Sequence, residues 1–247
     1  MKRSRWCASL VLLSSAVFNA APVAAQAFPH KPVRVIIPYG PGGGSDIILR
    51  SIVPKLSEQF RQSVVIDNRP GGSSTIGTGL VARSAPDGYT LLLVDSAILV
   101  NPSLFAKLPY DTLNDFAPVI FAASSASILL VHPAVPARSV KELVALAKQR
   151  PGQLTYASAG FGTGGHMASE MLKLAAGIDM LHVPYKGAGP AMADALGGHV
   201  TMIFTTAVVG ATVEDGADGL GGAGGLDDEP AQPESAVSTV AATASRR

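Results

Sequence analysis

The stretch Val33-Arg-Val-Ile-Ile-Pro-Tyr-Gly-Pro-Gly-Gly-Gly-Ser-Asp-Ile-Ile-Leu-Arg50 changes character half-way along. Val33 to Ile37 is an apolar, β-branched run of strand type, Pro38 to Gly44 is a turn-forming loop, and Ser45 or Asp46 is placed to cap a following helix. Glycines 40, 42, 43 and 44 carry no Cβ, so the backbone can curl and gather several N–H groups at the positive end of that helix. Such a loop suits an anion, although the same glycines would serve a plain βα turn. A second copy of the arrangement separates the two readings. Leu154 to Ala157 reads as a strand, Ser158 to Gly165 as a small-residue loop, and His166 to Ala176 as a helix with Met167, Met171 and Leu174 on one face. Two anion-receptive loops predict a ligand held between two halves of the molecule.

Between the loops, a helix over Asp46–Phe60 presents Ile47, Ile48, Ile52, Leu56 and Phe60 on one broad face, and Pro54 predicts a kink or an early break. Ser63 to Asp67 is a second strand. Asn68 to Ile76 leads into another helix through small hydroxyl residues, and Tyr89 to Val94 is an apolar strand of the buried parallel kind. Strands alternating with helices indicate an α/β sheet, in which ligands collect at the carboxyl ends of strands. The loops that begin near Pro38, Asn68 and Asp95 therefore border one crevice. Val119 to Val131, interrupted at Ala122–Ser127, reads as the crossing between lobes, and Ser139 as the N-cap of a helix to Gln149. A strand from His182, a short helix Ala191–Leu196 and a strand His199–Thr205 complete the second half.

The chain has 247 residues and a formal charge of +1, which gives no electrostatic case for nucleic acid or an acidic surface partner. With 47 % apolar and 15 % charged residues there is ample material for a core. Lys2, Arg3 and Arg5 precede an apolar run from Trp6 to Val17, and Ala25-Gln26-Ala27 offers small residues for cleavage: a secretory signal over 1–27, with no stable membrane insertion after its removal. The apolar run is short of the ~20 residues of a spanning helix. Cys7, the single cysteine, falls inside that signal, so thiolate and thiolate-metal chemistry are excluded from the mature chain. From Val209 to Arg247 no aromatic residue, isoleucine, methionine or lysine occurs, and the composition predicts a disordered tail or the product of a reading-frame change. The expected organisation is signal 1–27, lobe one 28–122, lobe two 123–208 and tail 209–247.

Gly160-Phe-Gly-Thr-Gly-Gly165 matches the G-x-G-x-x-G dinucleotide pattern between a strand and a helix. The pattern also needs an acidic residue at the end of the next strand for the ribose, and the strand that runs to Tyr185-Lys186 carries none. A nucleotide-dependent enzyme is thus the alternative function, and no cofactor is expected. His30, His132, His166, His182 and His199 lack metal-ligand spacing. His166 stands at the mouth of the second loop, Lys186 follows a strand and is placed to counter a carboxylate, and Tyr39 and Tyr185 stand at strand ends.

Phe28-Pro-His-Lys-Pro-Val-Arg-Val-Ile-Ile-Pro-Tyr-Gly-Pro-Gly-Gly-Gly-Ser-Asp46, Asp67-Asn-Arg-Pro-Gly-Gly72, Ala85-Pro-Asp-Gly-Tyr-Thr-Leu-Leu92 and His182-Val-Pro-Tyr-Lys-Gly187, in this order, closely resemble the periplasmic substrate-binding proteins of tripartite tricarboxylate transporters, the Bug family. The resemblance implies an α/β, two-lobed type II periplasmic-binding-protein fold, without catalysis, that closes on a small di- or tricarboxylate. By matching position it puts first-lobe contacts at Tyr39, Gly43, Gly44, Ser45, Asp46, Ser74, Thr75 and Ser96, and second-lobe contacts at Ser158, Gly162, Thr163, Gly164, His166 and Tyr185. Many relatives carry an acidic residue where this chain has Thr205, which disfavours an amine-bearing ligand. The implied partners are the carboxylate and an inner-membrane permease, the protein is a periplasmic monomer, and a ligand-responsive partner of a sensor kinase is the remaining alternative. The resemblance is expected to stop near Val208, leaving a fold incomplete at its C-terminus and the chain poorly folded or inactive.

Overall fold

The computed structural model describes residues 28–214 and the strand 236–242. Residues 1–27, where the signal is expected, and residues 215–235 and 243–247 of the expected tail lie outside the described residues. Met1–His30 and Lys31–Arg247 are separate units, and all the described helices and strands belong to the second.

The opening stretch folds as its pattern predicts. β1 (Val33–Ile37) runs through a glycine loop into α1 (Gly44–Phe60), and β2 (Val64–Asn68) returns parallel to β1 with Val33 opposite Val64. α1 continues unbroken through Pro54. Its inward face is Leu49, Val53, Leu56 and Phe60, while Ile52 is exposed, one step round the helix from the expected stripe. α2 (Thr75–Ala82) and β3 (Thr90–Asp95) follow, with β3 parallel to β1 on its other side. Ile36, Ile37, Leu92, Leu93 and Val94 are buried on both sheet faces, the pattern of a covered parallel sheet. α3 (Ala97–Leu104) leads to β4 (Ala117–Ser125) and β5 (Ser127–Val131).

β4 belongs to the first sheet and β5 to the second, so the chain changes lobes at Ala126, inside the predicted crossing and a few residues beyond the expected boundary at 122/123. In the second lobe α4 (Val140–Gln149) starts at Ser139, whose Oγ accepts from the Glu142 amide at 3.2 Å as its N-cap role requires. Then come β6 (Thr155–Ser158), α5 (Gly164–Ala176), β7 (Leu181–Pro184), α6 (Ala188–Leu196), β8 (Met202–Thr206) and α7 (Ala207–Glu214). The second sheet has the order β5-β8-β6-β7. α5 turns His166 and Ser169 inward and leaves Met171 and Leu174 exposed, reversing the face its apolar residues predict. Here polar groups that serve the loop before the helix take the inner positions.

The predicted disordered tail is regular wherever it is described: its first residues continue α7 to Glu214, and a strand follows. β9 (Ala236–Ala242) lies between β3 and β4, antiparallel to both, and completes the first sheet in the order β2-β1-β3-β9-β4. The composition argument weighed only side-chain burial. A sheet slot with an unpaired strand edge on each side stabilises a segment through its backbone, which here pairs with β3 on one side and β4 on the other.

Candidate functional site: a cleft between two helix N-termini

α1 begins after Gly43, whose φ of −85° and ψ of 168° are those of an N-cap, two or three residues earlier than the expected cap at Ser45 or Asp46. Asp46 caps from inside the first turn instead. Its carboxylate accepts from the Gly42 amide at 3.0 Å, from Arg50 Nε at 2.8 Å and Nη2 at 3.1 Å, and from Asn68 Nδ2 at 3.1 Å. Burial works to raise its pKa, but the hydrogen bonds from Arg50, Gly42 and Asn68 outweigh it and hold the carboxyl below the usual range. The amides of Gly44, Ser45 and Asp46 have no intrahelical acceptor, so the positive end of a 17-residue helix faces outward.

That end meets a second one. α5 starts at Gly164 after Thr163, and both helix starts line one cleft of about 80 Å³, room for on the order of five waters. Of the fourteen expected contacts, Tyr39, Gly43, Gly44, Ser45, Asp46, Ser96, Thr163 and Gly164 line it. Ser74 and Tyr185 line a second pocket of about 70 Å³ with Lys186. Thr75, Ser158, Gly162 and His166 line neither. Thr75 Oγ1 donates to its own loop at Gly72 O (2.7 Å), and Ser158 is wholly buried beneath the second loop.

The second loop uses much of its own backbone. The Gly160 amide donates to Ser158 Oγ, the Gly162 amide to His166 Nδ1 and the Phe161 amide to Ser73 Oγ of the other lobe, at 3.1–3.2 Å. From this segment, Ala159, Thr163, Gly164 and Gly165, rather than the whole glycine run, line the cleft. His166 is therefore a support of the loop, packed in a ring cluster 4.5 Å from His182 and 5.3 Å from Phe161. His182 stacks on Tyr156 at 4.7 Å and shares a 2.6 Å hydrogen bond with Ser158 Oγ. Burial, then His166 beside it, pushes the His182 pKa down to about 4.

The lobes touch through residues with no side chain in the way. Gly40 N donates to Lys186 O at 2.7 Å, and a Cβ on Gly187, whose φ is 150°, would fall 2.7 Å from Gly40 N. A Cβ on Gly44 would sit 2.7 Å from Thr206 Oγ1, a buried atom without a hydrogen-bond partner among the described residues.

Asp95, at the carboxyl end of β3, is the cleft residue that the sequence pattern left unassigned, although it marked the loop beginning there. Its Oδ1 accepts from Tyr39 OH at 2.5 Å and from the Ala97 amide at 2.9 Å. Burial raises its pKa against these donors. Burial and the Asp95 charge together raise that of Tyr39 well above its ordinary value, so the phenol keeps its proton. Ala188, Thr205 and Thr206 of the second lobe also line the cleft.

Two βα glycine loops, from two sheets, close on one cleft. The model of the tripartite tricarboxylate transporter family receptor, TctC, matches residues 48–239. This chain belongs to the TctC receptor family. The match reaches into β9, past Val208. A TctC relative from Pseudomonas sp. (strain P51), the UPF0065 protein of the tcbD-tcbE intergenic region, is 40 % identical over 178 residues, which are 72 % of this chain and 53 % of that protein. The chain thus spans about half the length of this relative. The periplasmic binding protein BugD superposes with a TM-score of 0.72 at 31 % identity, over 76 % of this chain and 64 % of that one. R. palustris Rpa4515 with adipate superposes with a TM-score of 0.77 at 31 % identity, over 87 % and 78 %. TctC proteins are receptors, not enzymes, and these neighbours are binding proteins. The G-x-G-x-x-G match at Gly160–Gly165 accordingly belongs to a binding-protein loop whose Gly160 and Gly162 amides are used internally and whose Phe161 amide reaches the other lobe. No helix among the described residues is long and apolar enough to cross a membrane.

Proposed function

We propose that this TctC-family chain captures a small organic acid, a di- or tricarboxylate, in the periplasm and delivers it to the inner-membrane permease of a tripartite tricarboxylate transporter. The observation that carries the reading is the convergence of the α1 and α5 N-termini on one cleft, with hydroxyls of Ser45, Ser96 and Thr163 beside them. Main-chain amides at helix starts bind carboxylates without a cationic side chain, and no Lys, Arg or His among the described residues lines this cleft. The adipate held by a neighbour of the same family supports an acid of this size. Closure of two lobes about strand crossings such as the one at Ala126 would trap the ligand between them.

Titration calorimetry with citrate, malate, succinate and adipate tests this. At least one of the four is expected to release or absorb heat with one-to-one stoichiometry. If none does, while the protein melts cooperatively, carboxylate capture is wrong.

A further inference from the structure

A cleft proposed to hold an anion carries carboxylates of its own. Asp46 is neutralised by Arg50 at 2.8 Å, but Asp95 has only neutral donors: Tyr39 OH and the Ala97 amide. An ionised carboxylate offers about four acceptor positions, so these two donors leave others open in a residue that lines the cleft. The groups around Asp95 are few. The β1–α1 loop brings Tyr39, with Tyr110 behind it; α1 brings the Asp46–Arg50 pair; α3 and α5 bring backbone amides; β8 brings the Thr205 and Thr206 hydroxyls; and β9 pairs with Asp95 through the ladder opposite Ser238. None of them places a positive charge on Asp95.

A dicarboxylate that enters this space ionised puts two negative charges near a third, in surroundings where burial already disfavours the charged form of Asp95. That conflict ends if Asp95 gains a proton: its charge is lost, and its O–H becomes a donor towards a ligand oxygen.

Resting on the carboxylate reading above, we propose that Asp95 is a proton site of the cleft, so that each dicarboxylate dianion is captured together with one proton taken from solvent. The ligand keeps its charge, Asp95 loses its own, and the complex gains one negative charge in place of two.

The test is calorimetry of succinate and adipate between pH 5 and pH 8, repeated in buffers of different ionisation enthalpy. Where Asp95 is ionised in the free protein, the slope of heat against buffer enthalpy is expected to show close to one proton taken up per ligand. Affinity there falls about tenfold per pH unit as pH rises. Asp95→Asn is expected to bind with no proton uptake and with a flat pH profile. Tyr39→Phe, which keeps Asp95 but removes a donor to its charged form, retains the uptake and moves the onset of weakening to higher pH. Tight dicarboxylate binding without proton uptake overturns the proposal and leaves carboxylate capture standing. Absence of binding by either acid at every pH overturns both. Aspartate binding more tightly than succinate without proton uptake overturns it too, because Asp95 would then be pairing with an ammonium group.

Discussion

Gly44 is one of the residues at which the packing of the two lobes leaves no room for a side chain. A methyl group there lies 2.7 Å from Thr206 Oγ1 unless the threonine turns away. Gly44→Ala is expected to weaken ligand binding at least tenfold in calorimetry, roughly 1.4 kcal/mol, and Thr206→Ala in the same chain to restore part of it. His182 gives a second residue-scale expectation. Its pKa in the fold is about 4 against an ordinary 6.5, so the unfolded chain binds the extra proton between these values. Stability is therefore whole above about pH 6.5 and is lost as pH falls toward 4. Urea melts at pH 7 and pH 5 will show this, and His182→Phe will flatten the difference. Depressed carboxylates such as Asp46 add their own loss as pH falls below the ordinary Asp range, a separate and lower window. His182 was invisible as a half-buried group in the sequence because its neighbours Tyr156, Ser158 and His166 come from β6 and α5, and no spacing along the chain reports that contact.

Among the elements, α4 and α1 show the two ways a helix start is held. Ser139→Ala removes a side-chain cap and is expected to cost about 1 kcal/mol in denaturant melts. Asp46→Ala is worse, because Gly42 N, Asn68 Nδ2 and Arg50 all lose an acceptor and Asp46 itself lines the cleft; about 1–3 kcal/mol and a weakened ligand affinity are expected. The β1–loop–α1 and β6–loop–α5 units were legible in the sequence because each announces itself locally, by apolar run, glycine cluster and helical period. The shared cleft followed from the rule that ligands gather at strand carboxyl ends. Asp95 was half legible: the same rule pointed to its loop, but its partner Tyr39 lies 56 residues earlier in the chain. β9 was not legible, since nothing in Ala236–Ala242 except its place in the ladder distinguishes it from the small-residue stretch around it.

At the scale of the whole molecule, a ligand that binds only the folded, closed form must stabilise it. At a hundredfold excess over its dissociation constant the gain is about 2.7 kcal/mol, read as a rise in melting temperature that grows with ligand concentration. Succinate or adipate is expected to produce such a shift in the wild-type chain and a smaller one in Gly44→Ala. The apolar side chains Val119, Ile120 and Phe121 stand out on β4, each at least half exposed. Sedimentation at increasing concentration is expected to report self-association through such a patch, and Ile120→Thr with Phe121→Ser to reduce it. The place of β9 bears on how the molecule is made. Its slot lies between strands synthesised more than a hundred residues earlier, so as the ribosome extrudes the chain, β3 and β4 emerge with their facing edges still bare. The first lobe then waits for one late segment, and during that wait a chaperone, a protease or a neighbouring nascent chain competes for the same open seam.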